Sequence, residues 1–437
     1  MNRCTQTMSK NLLNLAILAA LVGVSGNVIA ENNTVNINVT GNSETVTIDQ
    51  TTSNFDTINY ALGGGDGANN NNTDTISQQN SSYDTATINQ GNNSGGTTDS
   101  SLATINQQNS DHNNATINQG FNAWSNSHSN TATINQLYSN YNTATINQAA
   151  SNGATVSNST ASIDQSNSTN TNSSATINQG ASGTASQGDS ASISQHNSAA
   201  TNNATINQGT NGIPDVNNSA SIDQSNSGNN TATVTQNSSG NIAAISQPGV
   251  SNTSNLTQNG NINNALVTQA GNSNSATTVQ NGDGGSLTIR QSAQSDLATV
   301  TQNPGLNNQA SIAQGALSFG HGNSAAITQG SDYNKAGITQ NGENNQASVT
   351  QEGFAGNTAL NTASIDQGDL SYSYNNTASI EQNGSGNNGY IEQNGTGNKA
   401  DINQTGTGNS ADIYQASNGN TANITQNGAN NSFTIHQ

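Results

Sequence analysis

The sequence predicts an all-β fold, a parallel two-sided β-solenoid of about sixteen strand-turn-strand coils. Three observations carry that prediction. The unit Ala-x-Ile/Val-x-Gln recurs between residues 35 and 437, 32 times when Val39 and Tyr60 are counted as degenerate ends. Within each unit, apolar and polar residues alternate over five positions, the period of a strand. The units also keep phase, and a fixed short period signals stacked repeats. Gln393 to Gln404 reads QNGTGNKADINQ, Gln404 to Gln415 reads QTGTGNSADIYQ, and the 11-residue pitch continues to Gln426 and Gln437.

At the N-terminus, Arg3 and Lys10 flank the start of an apolar run, Leu12 to Val24, too short to span a bilayer. Val28-Ile29-Ala30 then offers small residues for cleavage, so residues 1–30 read as a secretory signal peptide and stand outside the fold. Cys4, the single cysteine, precedes the apolar run, where a lipid-anchoring cysteine would follow it. The mature chain therefore has no disulfide, no cysteine-based zinc site and no thiol nucleophile. It keeps three basic residues (Arg290, Lys335, Lys399) against 24 acidic ones, a formal balance of −21. That balance argues against nucleic acid and anionic lipid as partners. No later apolar run approaches the roughly 20 residues of a transmembrane segment.

Strand pattern begins at once: Val35, Ile37 and Val39 alternate, then Val46, Ile48 and Gln50. Helix is disfavoured by the period and by the density of Asn, Gly, Ser and Thr. Between Gln78 and Gln236 the spacing of closing glutamines alternates between 12–14 and 16–17 residues. Two units thus make one coil of about 29 residues, with the extra residues always entering at one edge. From Gln236 to Gln302 every gap is 11, and longer gaps return before Gln329, Gln367 and Gln382. The expected organisation is 31–236 with long loops at one edge and 237–437 in compact coils, one continuous solenoid. Sixteen layers at strand spacing would measure about 75 Å.

In such a coil Ala, Ile and Gln face inward and stack on their counterparts one layer away. Asn two residues before the Ala adds a further column, as at Asn130, Asn142, Asn263, Asn345, Asn398, Asn409 and Asn420. Identical amides at strand spacing bond up the ladder in amyloid-like, cross-β fashion. The expected stacking ladder is Gln258, Asn263, Gln269, Gln340, Asn345, Gln351, Gln393, Asn398, Gln404, Asn409, Gln415, Asn420, Gln426 and Gln437. One Ile or Val per unit is little apolar surface, so backbone ladders and shared amide columns must supply the rest. Phe433 to Gln437 reads as a strand without proline, and an uncapped strand edge templates addition of another chain.

With the residues set out, the pattern Gln-x-Gly-x-Gly-Asn-x-Ala-x-x-x-Gln resembles the repeat of curlins, the subunits of curli fibres on bacterial surfaces. Gln393, Gly395, Gly397, Asn398, Ala400 and Gln404 match it, as do Gln404, Gly406, Gly408, Asn409, Ala411 and Gln415. Weaker copies such as Gln258, Gly260, Asn263, Ala265 and Gln269 continue along the mature chain. The resemblance implies a secreted structural protein that polymerises into functional amyloid, a curli-type pilus serving adhesion and biofilm matrix. It implies stacking roles for the matching Gln and Asn, with a nucleator subunit and an outer-membrane export channel as partners. Curlin subunits usually carry a handful of coils, against about sixteen here, and major subunit and nucleator stay open.

Other candidates read blandly. His112, His128, His196, His321 and His436 lie far apart, mostly in different turns. GGGDG at Gly63 to Gly67 resembles a calcium-binding β-roll repeat but occurs once, and reads as a loop. Asp49, Asp164, Asp223, Asp366, Asp401 and Asp412 sit at outward strand positions, a solvated face that slows edge aggregation. Phe121, Trp124, Phe319, Phe354, Tyr372 and Tyr374 fall in insertions, as surface-contact loops or as rings folded back over the rod. No nucleophile, paired acid or cofactor loop appears, so neither an enzyme nor a cofactor is expected. The alternative reading is a monomeric solenoid, ice-binding or a surface adhesin, using outward Thr/Asn faces such as Thr131-Ala132-Thr133 and Thr143-Ala144-Thr145.

Overall fold

The computed structural model describes residues 32–39, 45–62, 69–91, 97–120, 126–149, 154–168, 172–180, 185–198, 200–209, 215–315, 320–353, 360–368 and 373–437. The signal-peptide reading, the GGGDG loop and five of the six loop aromatics (Phe121, Trp124, Phe319, Phe354, Tyr372) lie outside them. Among the described residues the structure is all-β, without helix, and every strand pairing is parallel. It is a parallel β-solenoid, divided into a unit ending at Asn229 (with Thr235–Ser239) and a unit from Gly240 to Gln437 (with Asn230–Val234).

In the first unit one sheet runs through Thr34–Val39, Thr57–Leu62, Thr85–Gln90, Asn114–Gln119, Thr143–Gln148, Ser174–Gln179 and Asn203–Gln208. A second sheet takes the alternate strands, from Thr45–Thr51 to Ser219–Asp223. Register is strict: Ala86 pairs with Ala115, Ala115 with Ala144, Ala144 with Ala175 and Ala175 with Ala204. The one-residue slip that would turn every core residue outward is thereby avoided.

The two-sided expectation needs a correction in this unit. The residues inserted at one edge form a narrow third sheet of short strands, Asn69–Asn70, Thr97–Asp99, Asn126–His128, Thr155–Ser157, Ala185–Gln187 and Asp215–Val216. The extra length lets the chain turn one more corner. Five of these strands send one residue inward, Thr98, Ser127, Val156, Ser186 and Asp215 all being buried. Ala149, Ala154 and Val156 form a local apolar cluster there.

In the second unit one sheet runs from Thr253–Gln258 to Thr421–Ala429 and the other from Ile242–Ser246 to Ser432–His436. The nine-residue strands Thr377–Ser385, Lys399–Thr407 and Thr421–Ala429 continue past their glutamines into the glycine-bearing turn and pair there as well. In both units the core repeats one Ala and one Ile, Val or Leu per strand, nearly all without solvent contact. Tyr60 is the bulky exception, and its hydroxyl donates to Asp74 at 2.6 Å.

Candidate functional site: the stacked amide columns

In the two long sheets the closing glutamines sit at the inner corner of the coil and are buried, from Gln78 to Gln415. In the second unit Gln258 Nε2 donates to Gln280 Oε1 at 2.8 Å. Gln329 donates to Gln351 at 3.0 Å, Gln382 to Gln404 at 2.9 Å and Gln404 to Gln426 at 2.8 Å. The other sheet carries its own column: Gln269 to Gln291, Gln340 to Gln367, Gln393 to Gln415 and Gln415 to Gln437, at 2.8–3.0 Å. The first unit repeats the arrangement, for example Gln107 to Gln136 at 2.9 Å and Gln119 to Gln148 at 2.8 Å.

The second N–H of the carboxamide is also used. Gln269 donates to the Thr253 carbonyl at 3.0 Å, Gln351 to Lys335 and Gln404 to Asn388, both at 2.9 Å. An amide placed in this way satisfies both donors and accepts from the layer before, the full satisfaction that a buried polar column requires. The column has a direction: every Gln–Gln bond runs from the lower-numbered coil to the higher. Where Leu62 replaces glutamine at this corner, Gln90 Oε1 one layer on is buried without a hydrogen-bond partner.

The asparagine column works differently from the expected amide-on-amide ladder. Asn263 Oδ1 accepts from the Gly285 backbone N–H at 2.7 Å, and its Nδ2 donates to the Gly282 carbonyl at 2.7 Å. Asn345 accepts from Asn376 N–H, Asn398 from Asn420 N–H and Asn409 from Asn431 N–H, at 2.9–3.0 Å. Asn420 Nδ2 turns to Ser417 Oγ at 2.9 Å. The shorter side chain reaches the turn backbone of the next layer, so it caps turn donors that the strand ladder leaves open. Direct amide contact occurs as a supplement, Asn409 Nδ2 to Asn387 Oδ1 at 3.2 Å.

Sequence reading missed the inward carboxylates. Asp56, Asp84, Asp189 and Asp296 stand in the asparagine column and are buried, and Asp215 is buried in the third sheet. Burial pushes Asp84 and Asp215 up to about 7 and Asp296 to about 6, and raises Asp56 and Asp189 as well. Asp84 receives hydrogen bonds from Ser110 Oγ and the Asn113 N–H, which oppose the shift without cancelling it. The signal was present, since each of the four column aspartates precedes its strand by the same offset as the asparagines.

A second missed feature is an exposed stack of rings. Phe55, Tyr83, His112 and Tyr141 lie face to face with centroids 4.7–4.9 Å apart. Their spacing of 28 or 29 residues is the coil period. Of the expected loop aromatics only Tyr374 is described, bridged in parallel to Glu343 and Thr396. The histidines remain apart: His112 meets Asp111 at 2.8 Å, His196 meets Asp164 and His321 meets Glu343, both at 3.6 Å. Among the described residues there is no group of three metal-ligating side chains. Nor is any helix among them long and apolar enough to cross a membrane.

Compared with known proteins, residues 320–353 and 375–406 match the curlin associated repeat. These stretches contain Gln329, Gln340, Gln351, Gln382, Gln393 and Gln404 of the amide columns. No curated protein matches the chain.

Proposed function

We propose that this chain, a curlin-repeat protein, is a structural subunit that polymerises through its β-edges into extracellular, curli-type amyloid fibres for adhesion and biofilm matrix. The observation supporting this reading most directly is the directional glutamine column. Each layer offers the next a carboxamide donor at one face and an acceptor at the other, at strand spacing. A second copy stacked in register meets the chemistry that each internal layer already meets. Backbone edges extend in the same way, because every pairing in the described residues is parallel.

The stretches that match the curlin associated repeat carry the same buried glutamine and asparagine columns as the rest of the described strands. Secretion follows, on this reading, from the segment 1–30, with a nucleator and an outer-membrane channel as partners. Purified mature protein should give a cross-β reflection at about 4.7–4.8 Å, and preformed fibres should abolish the lag of fresh protein. Persistent monomer without that reflection overturns the reading.

The alternative, a monomeric binding module on outward Thr/Asn faces, has one observation in its favour. The face of the first unit carries Thr87, Thr116, Thr145, Thr176 and Thr205 in register. In the second unit the equivalent positions read Asn255, Thr277, Thr299, Ala326, Ser348, Ser379, Asp401 and Asn423. A ligand face has no reason to lose its residues over half of its length, whereas a polymerising core needs only its inward columns.

A further inference from the structure

Five strands of the first unit, Thr85–Gln90, Asn114–Gln119, Thr143–Gln148, Ser174–Gln179 and Asn203–Gln208, present a continuous polar, uncharged outward face. Its asparagines form a second, half-exposed ladder. Asn89 donates to Asn118 at 2.9 Å, Asn118 to Asn147, Asn147 to Asn178 and Asn178 to Asn207, each at 2.8 Å. A threonine row runs beside it in the same register. The 15 outward positions of these strands are Thr, Ser or Asn, with no charge among them, although the chain carries a net −19. The opposite sheet of the same unit places Asp49, Asp164 and Asp223 on its outward face.

We infer that this face is a lateral contact surface whose occupant is the same face of a second copy of this chain, pairing neighbouring fibres side by side. The inference rests on axial polymerisation as proposed above. Two arguments select the occupant. A copy of an acidic chain is repelled least where charge is absent, and these five strands carry none on their outward positions. Each ladder asparagine spends one N–H and one lone pair on its neighbours, leaving a donor and an acceptor per layer. A facing copy supplies the same groups at the same spacing, the arrangement of paired sheets in cross-β assemblies.

Size sets the order of events. Five strands of six residues cover about 20 Å by about 20 Å, so two facing patches bury about 800 Å², below the roughly 1,000 Å² of a stable interface. Two monomers therefore stay apart, while fibres, repeating the patch once per subunit, hold together by multivalency. Lateral pairing follows elongation.

The test introduces charge without touching the core or the asparagine ladder. Fibres of the full mature chain and of a Thr116→Glu/Thr176→Glu variant are compared by electron microscopy for width and by diffraction for the cross-β spacing. A control, Thr104→Glu/Thr133→Glu, puts the same charge on the opposite sheet of the same unit. The expected result is bundles for the parent and the control, and single fibres with an unchanged cross-β reflection for T116E/T176E. Bundling of T116E/T176E at parental width overturns the inference, as does equal loss of bundling in the control. Monomer that shapes ice crystals also overturns it, assigning the face to a different ligand. Absence of fibres in the parent is a failure of the axial reading instead, and the two failures are distinguishable in one experiment.

Discussion

At Asp84 the fold holds a carboxyl where most layers hold an amide. Asn113, one layer on, shows what an amide does there: its Oδ1 accepts from the Asn142 N–H at 2.8 Å and its Nδ2 donates to Ser139 Oγ at 2.9 Å. Asp84 accepts from the Asn113 N–H in the same way, and its other oxygen takes the Ser110 hydroxyl. Burial raises it from the ordinary 3.8 to about 7, so the folded chain retains a proton that the unfolded chain gives up from about pH 4. Stability is then greatest near pH 4 and falls towards pH 7, with Asp56, Asp189, Asp215 and Asp296 adding in the same sense. Asp84→Asn should leave denaturant stability at pH 4 unchanged and raise it at pH 8, by on the order of 2–4 kcal/mol. Equal effects at both pH values would place the contribution of Asp84 in packing rather than in its proton.

At the scale of the element, the two glycines of each Gly-x-Gly turn answer different constraints. Gly406 lies at φ 121°, and a Cβ there would stand 1.9 Å from the Gly428 carbonyl oxygen of the next layer. Gly397 lies at φ 68° with open space around it, and Asn344 and Asn375 occupy the same corner in other layers at φ 55° and 54°. Gly406→Ala should therefore cost about 2 kcal/mol or more, while Gly397→Asn should stay within about 0.5 kcal/mol, both by denaturant unfolding. The same left-handed corner explains why the first unit manages without Gly-x-Gly: Phe55, Tyr83, His112 and Tyr141 take that conformation at φ 57–60° and recover contact by stacking. Strands and their inward residues were legible because five-residue alternation survives every substitution in the repeat. The third sheet was not, since strands of two or three residues are too short to show a period. The buried aspartates were hidden for another reason: an isolated Asp reads as a surface group until its column is drawn.

At the scale of the whole chain, charge and stacking oppose one another. Residues 31–437 carry three basic residues against 24 acidic ones, a balance of −21, and axial addition as proposed would bring such copies to strand spacing. Apart from the few buried aspartates, inward columns are neutral amides and apolar groups, so most of the repulsion resides in outward carboxylates such as Asp401, Asp412 and Glu392, where solvent and salt screen it. The Debye length falls from about 30 Å at 0.01 M to about 10 Å at 0.1 M, shorter than the span of several layers. Raising salt from 0.01 M to 0.1 M at pH 7 should therefore shorten the assembly lag several-fold without moving the cross-β spacing. Lowering pH from 7 to 4 should shorten it further, because the buried carboxyls reach their most stable, protonated state. The two effects separate in the Asp84→Asn chain, which should keep the full salt response and lose part of the pH response. Seeded growth monitored at both salt concentrations would check this, and a lag indifferent to salt would mean that charge on the outward faces does not limit the approach of one copy to the next.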